Sequence, residues 1–131
     1  MTTLGDRDYR RLLELRDGLR RFLRWSEEQA RAAGLTPAQH QLLLAVRGHS
    51  ETPTIGDLAE HLLLRHHSVV ELVDRVEQSG LVRRRQDDAD HRVVRVELTA
   101  KGERRLAAVS ARHREELRRI ADELRPALAG L

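Results

Sequence analysis

The sequence predicts a mainly α-helical domain with one small β-hairpin. Apolar residues recur at spacings of three and four through most of the 131 residues, and the spacing changes to two only near residues 81–98. Aromatic residues make up 2% of the chain, so Leu, Val and Ala must form the core, a composition that favours helices. The length fits a single domain over residues 1–131.

The first helix is predicted over residues 6–33, and it ends before Gly34, a residue suited to a helix C-terminus. Its apolar stripe steps by three and four and consists of Leu12, Leu15, Leu19 and Phe22, with Leu23 beside it. This stripe offers more apolar surface than a small core needs. We therefore expect part of it to pack against another copy of the chain.

Two capping patterns predict the starts of the next two helices. Thr36, Pro37 and Gln39 combine a capping box with proline at the first helical position, and this helix ends at Gly48. Thr54, with an aspartate three residues later, predicts the N-cap of a short third helix. Its inward residues are Ile55, Leu58, Ala59 and Leu62.

The fourth helix is predicted over residues 65–79 and stops at Gly80. Strands over residues 81–86 and 93–98 then flank a polar tip and form a hairpin, which is too small to be stable unless it packs on the helices. Thr99 is predicted to cap a last long helix, and Pro126 to break or bend it. That helix carries a heptad-like seam of Leu106, Val109, His113, Leu117, Ile120 and Leu124.

This order of elements predicts a winged helix-turn-helix with N- and C-terminal dimerisation helices. The DNA-binding lobe is assigned to residues 36–98, and the dimerisation helices to residues 6–33 and 99–131. In such a lobe the helix after the turn enters the major groove, and the hairpin, or wing, reaches the backbone or the minor groove.

The face of the fourth helix opposite its apolar stripe centres on His67, Glu71 and Asp74, at about 100° per residue. Glu71 suits cytosine N4, and Val70 suits a thymine methyl group. A phosphate is favoured at the helix N-terminus, beside Arg65. The candidate DNA contacts of this helix are Arg65, His66, His67, Ser68, Val70, Glu71 and Arg75.

The first wing strand carries three consecutive arginines at residues 83–85. Strand alternation places Arg84 on one face and its two neighbours on the other, and at least one of the three should meet a phosphate. Arg84 is included among the candidate DNA contacts. The alternative is a strand edge protected from aggregation by its charge.

Three segments resemble the MarR family of multiple antibiotic resistance regulators: residues 35–39, 72–82 and 90–102. The last runs from Asp90-His91-Arg92 through an apolar strand to Leu-Thr and a glycine, as in the wing of that family. The resemblance spans about residues 35–106. It implies a homodimer with interlocked terminal helices that binds double-stranded DNA at a palindromic operator, with repression as the default.

Further residue roles are implied by the same resemblance. Arg92 would sit at the wing tip beside His91 and reach the minor groove, with Asp90 holding its guanidinium. Arg75 would contact the phosphate backbone. Arg65 departs from the family, in which a small hydroxyl residue often caps this helix, so the first turn of the helix is its least defined part.

The resemblance also suggests that a small aromatic ligand releases the DNA, in a pocket lined by Phe22, Trp25 and His40. One alternative is a metal-responsive regulator that uses the histidines His61, His66 and His67. Another is a winged helix that serves only protein contacts.

Other classes are disfavoured by composition. The absence of cysteine excludes disulfides and thiolate metal sites. No nucleophile motif or phosphate-binding glycine loop is present, so we expect no enzyme, no cofactor and no resident metal. No apolar run suits a membrane span or a signal peptide, so we expect a cytoplasmic protein.

Overall fold

The computed structural model describes residues 3–131 and confirms the predicted fold class and element order. The elements are α1 (Asp6–Ala32), α2 (Pro37–Gly48), α3 (Ile55–Leu62), α4 (His66–Gln78), β1 (Val82–Gln86), β2 (Val94–Leu98) and α5 (Ala100–Ala129). Predicted and observed boundaries agree within a few residues, as expected for ends that fray.

The starts of α2 and α3 follow from local sequence. Thr36 Oγ1 accepts a hydrogen bond from the backbone N–H of Gln39 at 3.1 Å, and the Gln39 side chain accepts one from the N–H of Thr36 at 3.0 Å. Thr54 and Asp57 repeat this arrangement at 3.1 and 2.9 Å. The capping box predicted at Thr36 and the N-cap predicted at Thr54 are therefore confirmed, and Thr54 also forms a complete capping box with Asp57.

The core of the lobe lies between α2, α3, α4 and the hairpin. Its fully buried members include Leu42, Leu43, Leu58, Val69, Val73, Val76, Val82 and Val96. These are the inward positions of each helical stripe and of both strands. The hairpin is thus stabilised by packing on the helices, as its small size requires.

The strands β1 and β2 pair antiparallel, with Val82 opposite Leu98 and Gln86 opposite Val94. The backbone N–H of Val96 donates to the carbonyl of Pro53 at 2.9 Å, and Arg95 forms an isolated bridge with Thr54. The wing is therefore held on its second strand by the loop between α2 and α3.

The helices α1 and α5 pack against each other. A Cβ at Gly18 would lie 2.8 Å from Leu124 Cδ1, so glycine is what permits this close approach. The Ser26 hydroxyl lies 2.6 Å from His113 Nε2, and the His113 Nδ1 lies 2.9 Å from the carbonyl of Val109. Because a carbonyl only accepts, His113 Nδ1 carries the proton and Nε2 accepts from Ser26.

The predicted apolar stripe of α1 divides into two parts. Leu15 and Phe22 are half-buried on the side of α5, whereas Leu12, Leu19 and Leu23 are exposed. A single helix partner covers one arc of α1, and the second arc remains open. No helix of residues 3–131 is long and apolar enough to cross a membrane.

The predicted break at Pro126 is wrong, whereas the predicted start of α4 agrees with the structure to within one residue. Pro126 neither breaks nor ends α5, which continues to Ala129, because in the last turn proline removes only one late hydrogen bond. The fourth helix begins at His66, with Arg65 as an extended N-cap residue (φ −71°, ψ 153°) and no side-chain cap. The missing cap is the feature the sequence indicated.

Candidate DNA-binding surface

The helix α4 has one buried face and one exposed face. Val69, Leu72, Val73 and Val76 are buried, as the helical period predicts. The opposite face exposes His66, His67, Glu71, Asp74, Arg75 and Gln78. Ser68 and Val70 are half-buried, and Val70 packs against the core, which leaves only its edge for a ligand.

The N-terminus of α4 is open. Arg65 makes no capping hydrogen bond with its side chain, and within residues 3–131 no other side chain accepts from the first N–H groups of the helix. Those groups and the helix dipole favour an anion such as a phosphate. Arg65 and His66 are both exposed beside this position.

Arg84 faces α4, its side chain is 27% exposed, and its guanidinium is already paired with two carboxylates, which argues against a direct DNA contact. Its Nη1 donates to Glu77 Oε1 at 2.7 Å, and its Nη2 donates to Asp74 Oδ1 at 2.6 Å and to the Val70 carbonyl at 3.3 Å. Its backbone N–H also donates to Glu77 Oε2 at 2.8 Å. Arg84 therefore ties the first wing strand to α4 and occupies Asp74, a residue at the centre of the predicted reading face.

The other two arginines of the run also pair with carboxylates. Arg83 Nε donates to Glu97 Oε1 at 2.7 Å, and Arg85 Nε lies 3.5 Å from Glu97 Oε2. Hydrogen bonding by Arg83 and the charges of both arginines hold the pKa of Glu97 below its usual range, against the effect of burial. Arg83 and Arg85 thus share one carboxylate across the hairpin, and the Arg83 side chain remains 65% exposed.

At the wing tip, the structure brings Asp90 and Arg92 together. Arg92 Nε and Nη2 donate to the two carboxylate oxygens of Asp90, each at 3.1 Å, and the backbone N–H of Arg92 donates to Asp90 Oδ1 at 3.1 Å. Hydrogen bonds from Arg92 hold the pKa of Asp90 below its usual range. The hydrogen bonds to Asp90 orient the Arg92 side chain, and because that side chain is 90% exposed it remains accessible to a ligand. His91, beside it, is exposed.

Asp87 is a supporting residue that sequence reasoning missed. Its Oδ1 accepts from Arg95 Nε at 2.6 Å, and its Oδ2 accepts from the backbone N–H groups of Ala89 and Asp90 at 3.1 and 3.0 Å. Arg95 Nη1 also donates to the carbonyl of Thr52 at 2.6 Å. The wing tip is therefore fixed to the α2–α3 loop. The sequence does contain a signal for Asp87, because an aspartate at the start of a turn commonly accepts hydrogen bonds from the backbone N–H groups two and three residues later.

The wing and α4 enclose a cleft of about 400 Å³. His66 and Val70 of α4 line one side, and Arg92 and Val94 of the wing line the other. The exposed turn of α4 and the oriented arginine of the wing therefore belong to one continuous surface.

The three residues of the predicted ligand pocket lie in one aromatic cluster around His113. Ring centroids are 6.0 Å apart for Phe22 and Trp25, 5.0 Å for Trp25 and His113, and 4.8 Å for His40 and His113. Phe22 and Trp25 line a cavity of about 220 Å³ between α1 and α5. Buried His40 is not part of its lining, because His113 lies at the centre of the cluster.

The three histidines proposed for a metal site do not converge. His61 contacts His49, whereas His66 and His67 are exposed on α4. Among residues 3–131, no group of three or more histidine or acidic side chains is placed to hold a metal ion.

The fold and this surface agree with a match to a known family. A family model described as MarR family matches residues 33–93, which span the lobe from the end of α1 to the wing tip. The match covers 61 of the 131 residues, so the lobe is similar to this family. The two curated relatives that match the chain are described as HTH-type transcriptional regulators, which agrees with the class predicted from the sequence.

Two curated relatives come from Bacillus subtilis (strain 168). The uncharacterized HTH-type transcriptional regulator YsmB is 40% identical over 65 residues, which cover 50% of this chain and 44% of the relative. The HTH-type transcriptional repressor MdtR is 30% identical over 84 residues, which cover 64% and 54%. The chain thus spans about half the length of the curated relatives it matches.

A solved structure of the S. aureus MepR–DNA complex has the same fold. It superposes with a TM-score of 0.71 at 20% identity and covers 83% of this chain and 80% of MepR. The likeness shows that this arrangement of helices and hairpin is shared with MepR.

Proposed function

We propose that the protein is a homodimeric, sequence-specific DNA-binding regulator, a repressor that acts in the cytoplasm at a palindromic operator. The observation that carries this proposal is the common surface formed by α4 and Arg92. An oriented, exposed arginine at a wing tip costs little entropy to place in a narrow groove. The printed descriptions of MdtR as a repressor and of MepR in complex with DNA support it.

Base reading is assigned to the exposed middle of α4. Glu71 is exposed, accepts hydrogen bonds when ionised and suits cytosine N4 in the major groove. His67 lies one turn before it and can donate to guanine or to a phosphate. Arg65 and Arg75 flank this reading face and would contact phosphates on either side.

Arg84 has a different role in this proposal. Because it joins β1 to α4 through Asp74 and Glu77, it sets the angle between the wing and the reading helix. The wing tip and α4 must meet adjacent grooves at the same time, so this angle affects binding without any contact between Arg84 and DNA.

Dimerisation is supported by the apolar surface that the chain leaves open. Leu12, Leu19 and Leu23 on α1 and Leu117 on α5 are large apolar side chains exposed in the single chain. A contiguous apolar patch of this kind usually marks an interface. A two-fold dimer would present two copies of α4 to two half-sites, which is why a palindromic operator is expected.

A salt titration tests the DNA-binding role. Binding of a fluorescent duplex that carries the protein's own promoter should weaken steeply with salt, because phosphate contacts release counterions. Arg92→Ala should weaken binding by about tenfold, in line with the loss of one good groove contact worth about 1–3 kcal/mol. Arg114→Ala, an exposed arginine on α5, is the matched control and should bind as the unmodified protein does.

Glu71→Ala tests sequence reading. It should change the preferred sequence in a random-duplex selection while affinity for non-specific DNA stays within about twofold, since non-specific binding comes from phosphate contacts. Equal loss on all sequences would exclude base reading by Glu71. If no duplex shows salt-sensitive binding, the lobe serves protein contacts and the DNA-binding proposal fails.

Release by a small aromatic ligand is a second part of the proposal. Its support is the cavity of about 220 Å³ with Phe22 and Trp25 in its wall, which suits an aromatic ring. Arg119 at its edge is paired with Glu116 and Glu123, and an acidic ligand would have to compete with these carboxylates. An aromatic carboxylic acid panel should contain compounds that lower DNA affinity, and Phe22→Ala should abolish the response. A panel with no effect on DNA affinity would count against this ligand class.

A further inference from the structure

The C-terminal ends of α2 and α3 meet through two histidines. His49 is the C-cap residue of α2, and His61 lies in the last turn of α3. His49 Nδ1 and His61 Nε2 are 2.9 Å apart, and the two rings are nearly perpendicular, at 81°. Two imidazole nitrogens at this distance share one proton or direct two lone pairs at one point.

A carboxylate lies on the far side of the His49 ring. Asp57 Oδ2 is 3.4 Å from His49 Nε2, and the same oxygen accepts from the backbone N–H of Thr54 at 2.9 Å. The hydrogen bond from the Thr54 backbone is the main reason why the pKa of Asp57 lies below its usual range, so Asp57 is ionised at neutral pH. Histidines that bind metals commonly donate their other ring N–H to such a carboxylate.

We propose that His49 Nδ1 and His61 Nε2 form a binding site for one borderline divalent cation of the Zn²⁺ class, with Asp57 orienting the His49 ring. Tetrahedral zinc with Zn–N bonds of about 2.0–2.1 Å separates two nitrogens by about 3.3 Å. The present separation must therefore widen by a few tenths of an ångström, which the exposed His61 side chain allows by a small rotation.

The remaining coordination positions would be filled by water. No third protein ligand is placed at this point within residues 3–131, so the site is open and its affinity lies below that of closed structural zinc sites. Nitrogen ligands favour zinc, nickel or copper over magnesium or calcium, which prefer oxygen. This selectivity separates a histidine site from general attraction of cations to carboxylates.

The position of the site gives the bound ion a structural consequence. Residues 49–53 form the loop that holds the wing, through the Thr52 carbonyl to Arg95 and the Pro53 carbonyl to Val96. A cation between His49 and His61 would fix the first residue of this loop to α3. Backbone amides of the loop should then exchange with solvent more slowly.

Zinc titration of the chelator-treated protein tests the proposal by calorimetry, without DNA. We expect one Zn²⁺ per chain, no measurable Mg²⁺ binding, and at least a tenfold weaker zinc affinity in His49→Ala and His61→Ala. Asp57→Asn keeps a side-chain oxygen for the cap but lacks the charge, and it should lose about tenfold. His66→Ala and His67→Ala are matched controls and should retain the zinc affinity.

If a variant does not fold, nuclear magnetic resonance of the unmodified protein still tests the proposal, because it reports on each histidine ring without any substitution. Zinc should shift the ring resonances of His49 and His61 together, while those of His66 and His67 stay in place. Zinc affinity unchanged in both alanine variants, or shifts confined to other histidines, would overturn the proposal. Because none of these measurements involves DNA, a failed DNA-binding role and a failed metal site give separate results.

Discussion

The lobe and the terminal helix pair bury their apolar residues to different extents. In the lobe, Leu42, Leu43 and Leu58 are completely buried by elements of the same chain. On α1, by contrast, Leu19 and Leu23 remain 57% and 58% exposed, and Leu117 on α5 remains 48% exposed. The lobe thus closes its own core, whereas the helix pair presents a second apolar arc that no other part of residues 3–131 covers.

The difference follows from the number of elements in each region. Three helices and a hairpin can surround a common interior, while two helices cover only one stripe of each other. The lobe can therefore be rigid in a single chain, whereas the helix pair would be completed by the second copy that we propose. Four changes test this contrast, taken from the largest expected effect to the smallest.

Leu19→Glu should have the largest effect, because it places a charge in the open arc of α1. Burial of one leucine side chain contributes about 1.5–3 kcal/mol, so its loss from both protomers should weaken self-association by at least about 100-fold. Sedimentation equilibrium measures the change. Leu44→Glu, an equally exposed leucine on α2, is the control and should leave self-association as it was. Equal weakening by both would remove the contrast between the regions.

Gly102→Ala tests the junction between the two regions. A Cβ at Gly102, in the first turn of α5, would overlap the backbone oxygen of Leu81, which already accepts from the Thr99 N–H at 3.0 Å. The backbone of Leu81 cannot move aside as a flexible side chain can. We therefore expect Gly102→Ala to lower the free energy of unfolding by about 3 kcal/mol.

Gly48→Ala is the matched change at the end of α2, where a Cβ meets nothing within 4 Å. It should raise the free energy of unfolding by about 0.5–1 kcal/mol, because alanine loses less backbone entropy in a helix. Urea unfolding monitored by circular dichroism measures both variants. Similar effects of the two changes would show that the junction is not tightly packed.

Leu63→Gly should stabilise the lobe at the turn before α4. Leu63 has φ 54° and ψ 41°, which is the left-handed region, and its side chain is 91% exposed. The strained backbone at Leu63 is therefore not offset by burial of apolar surface. That conformation costs about 1–2 kcal/mol for a residue with a Cβ, and glycine loses about 0.5–1 kcal/mol more entropy on folding.

The net expectation for Leu63→Gly is a gain of up to about 1 kcal/mol in the free energy of unfolding. Leu64→Gly, at a neighbouring position without a positive φ, should instead be destabilising. Thermal unfolding compares the two variants. A loss of stability in Leu63→Gly would mean that the leucine side chain makes a contact that outweighs the strain.

Acidification should have the smallest effect, and it acts where α2 meets α5. Burial, and secondarily the charge of His113, hold the pKa of His40 below the usual range of a histidine. The unfolded chain therefore binds the proton more readily than the folded one. Stability contributed by neutral His40 is present above about pH 6.5 and is lost as the pH falls toward the lowered pKa.

His40→Leu should flatten the fall in unfolding free energy between pH 7.5 and pH 5.5. The groups that face His40 are the ring of His113 and, beyond it, the rings of Trp25 and Phe22. Among these, His113 is the only other titratable group. The carboxylates with lowered pKa values affect stability only at more acidic pH, so they do not obscure the window. An unchanged slope in the variant would assign the dependence to another group.

Much of the fold was predictable because its signals are local. The capping boxes at Thr36 and Thr54 and the change of spacing near residue 81 depend on residues close together in sequence. The exposed face of α4 followed from helical period alone. The pairing of Arg84 could not be predicted, because its partners Asp74 and Glu77 lie across a turn on another element. Strand alternation predicts which arginines share a face of the hairpin, but it does not predict which residues of another element pack against that face.

The resemblance to the MarR family implied the pairing of Asp90 with Arg92, which the structure contains. The sequence by itself determined the order of the elements, the starts of the helices and the exposed face of α4. These depend on backbone periodicity and on short-range hydrogen bonds. Only the tertiary structure decided that Arg84 joins the wing to α4, that Asp87 fixes the wing through Arg95, and that His49 meets His61. Such contacts depend on how separate elements pack, and no local spacing encodes the distance between them.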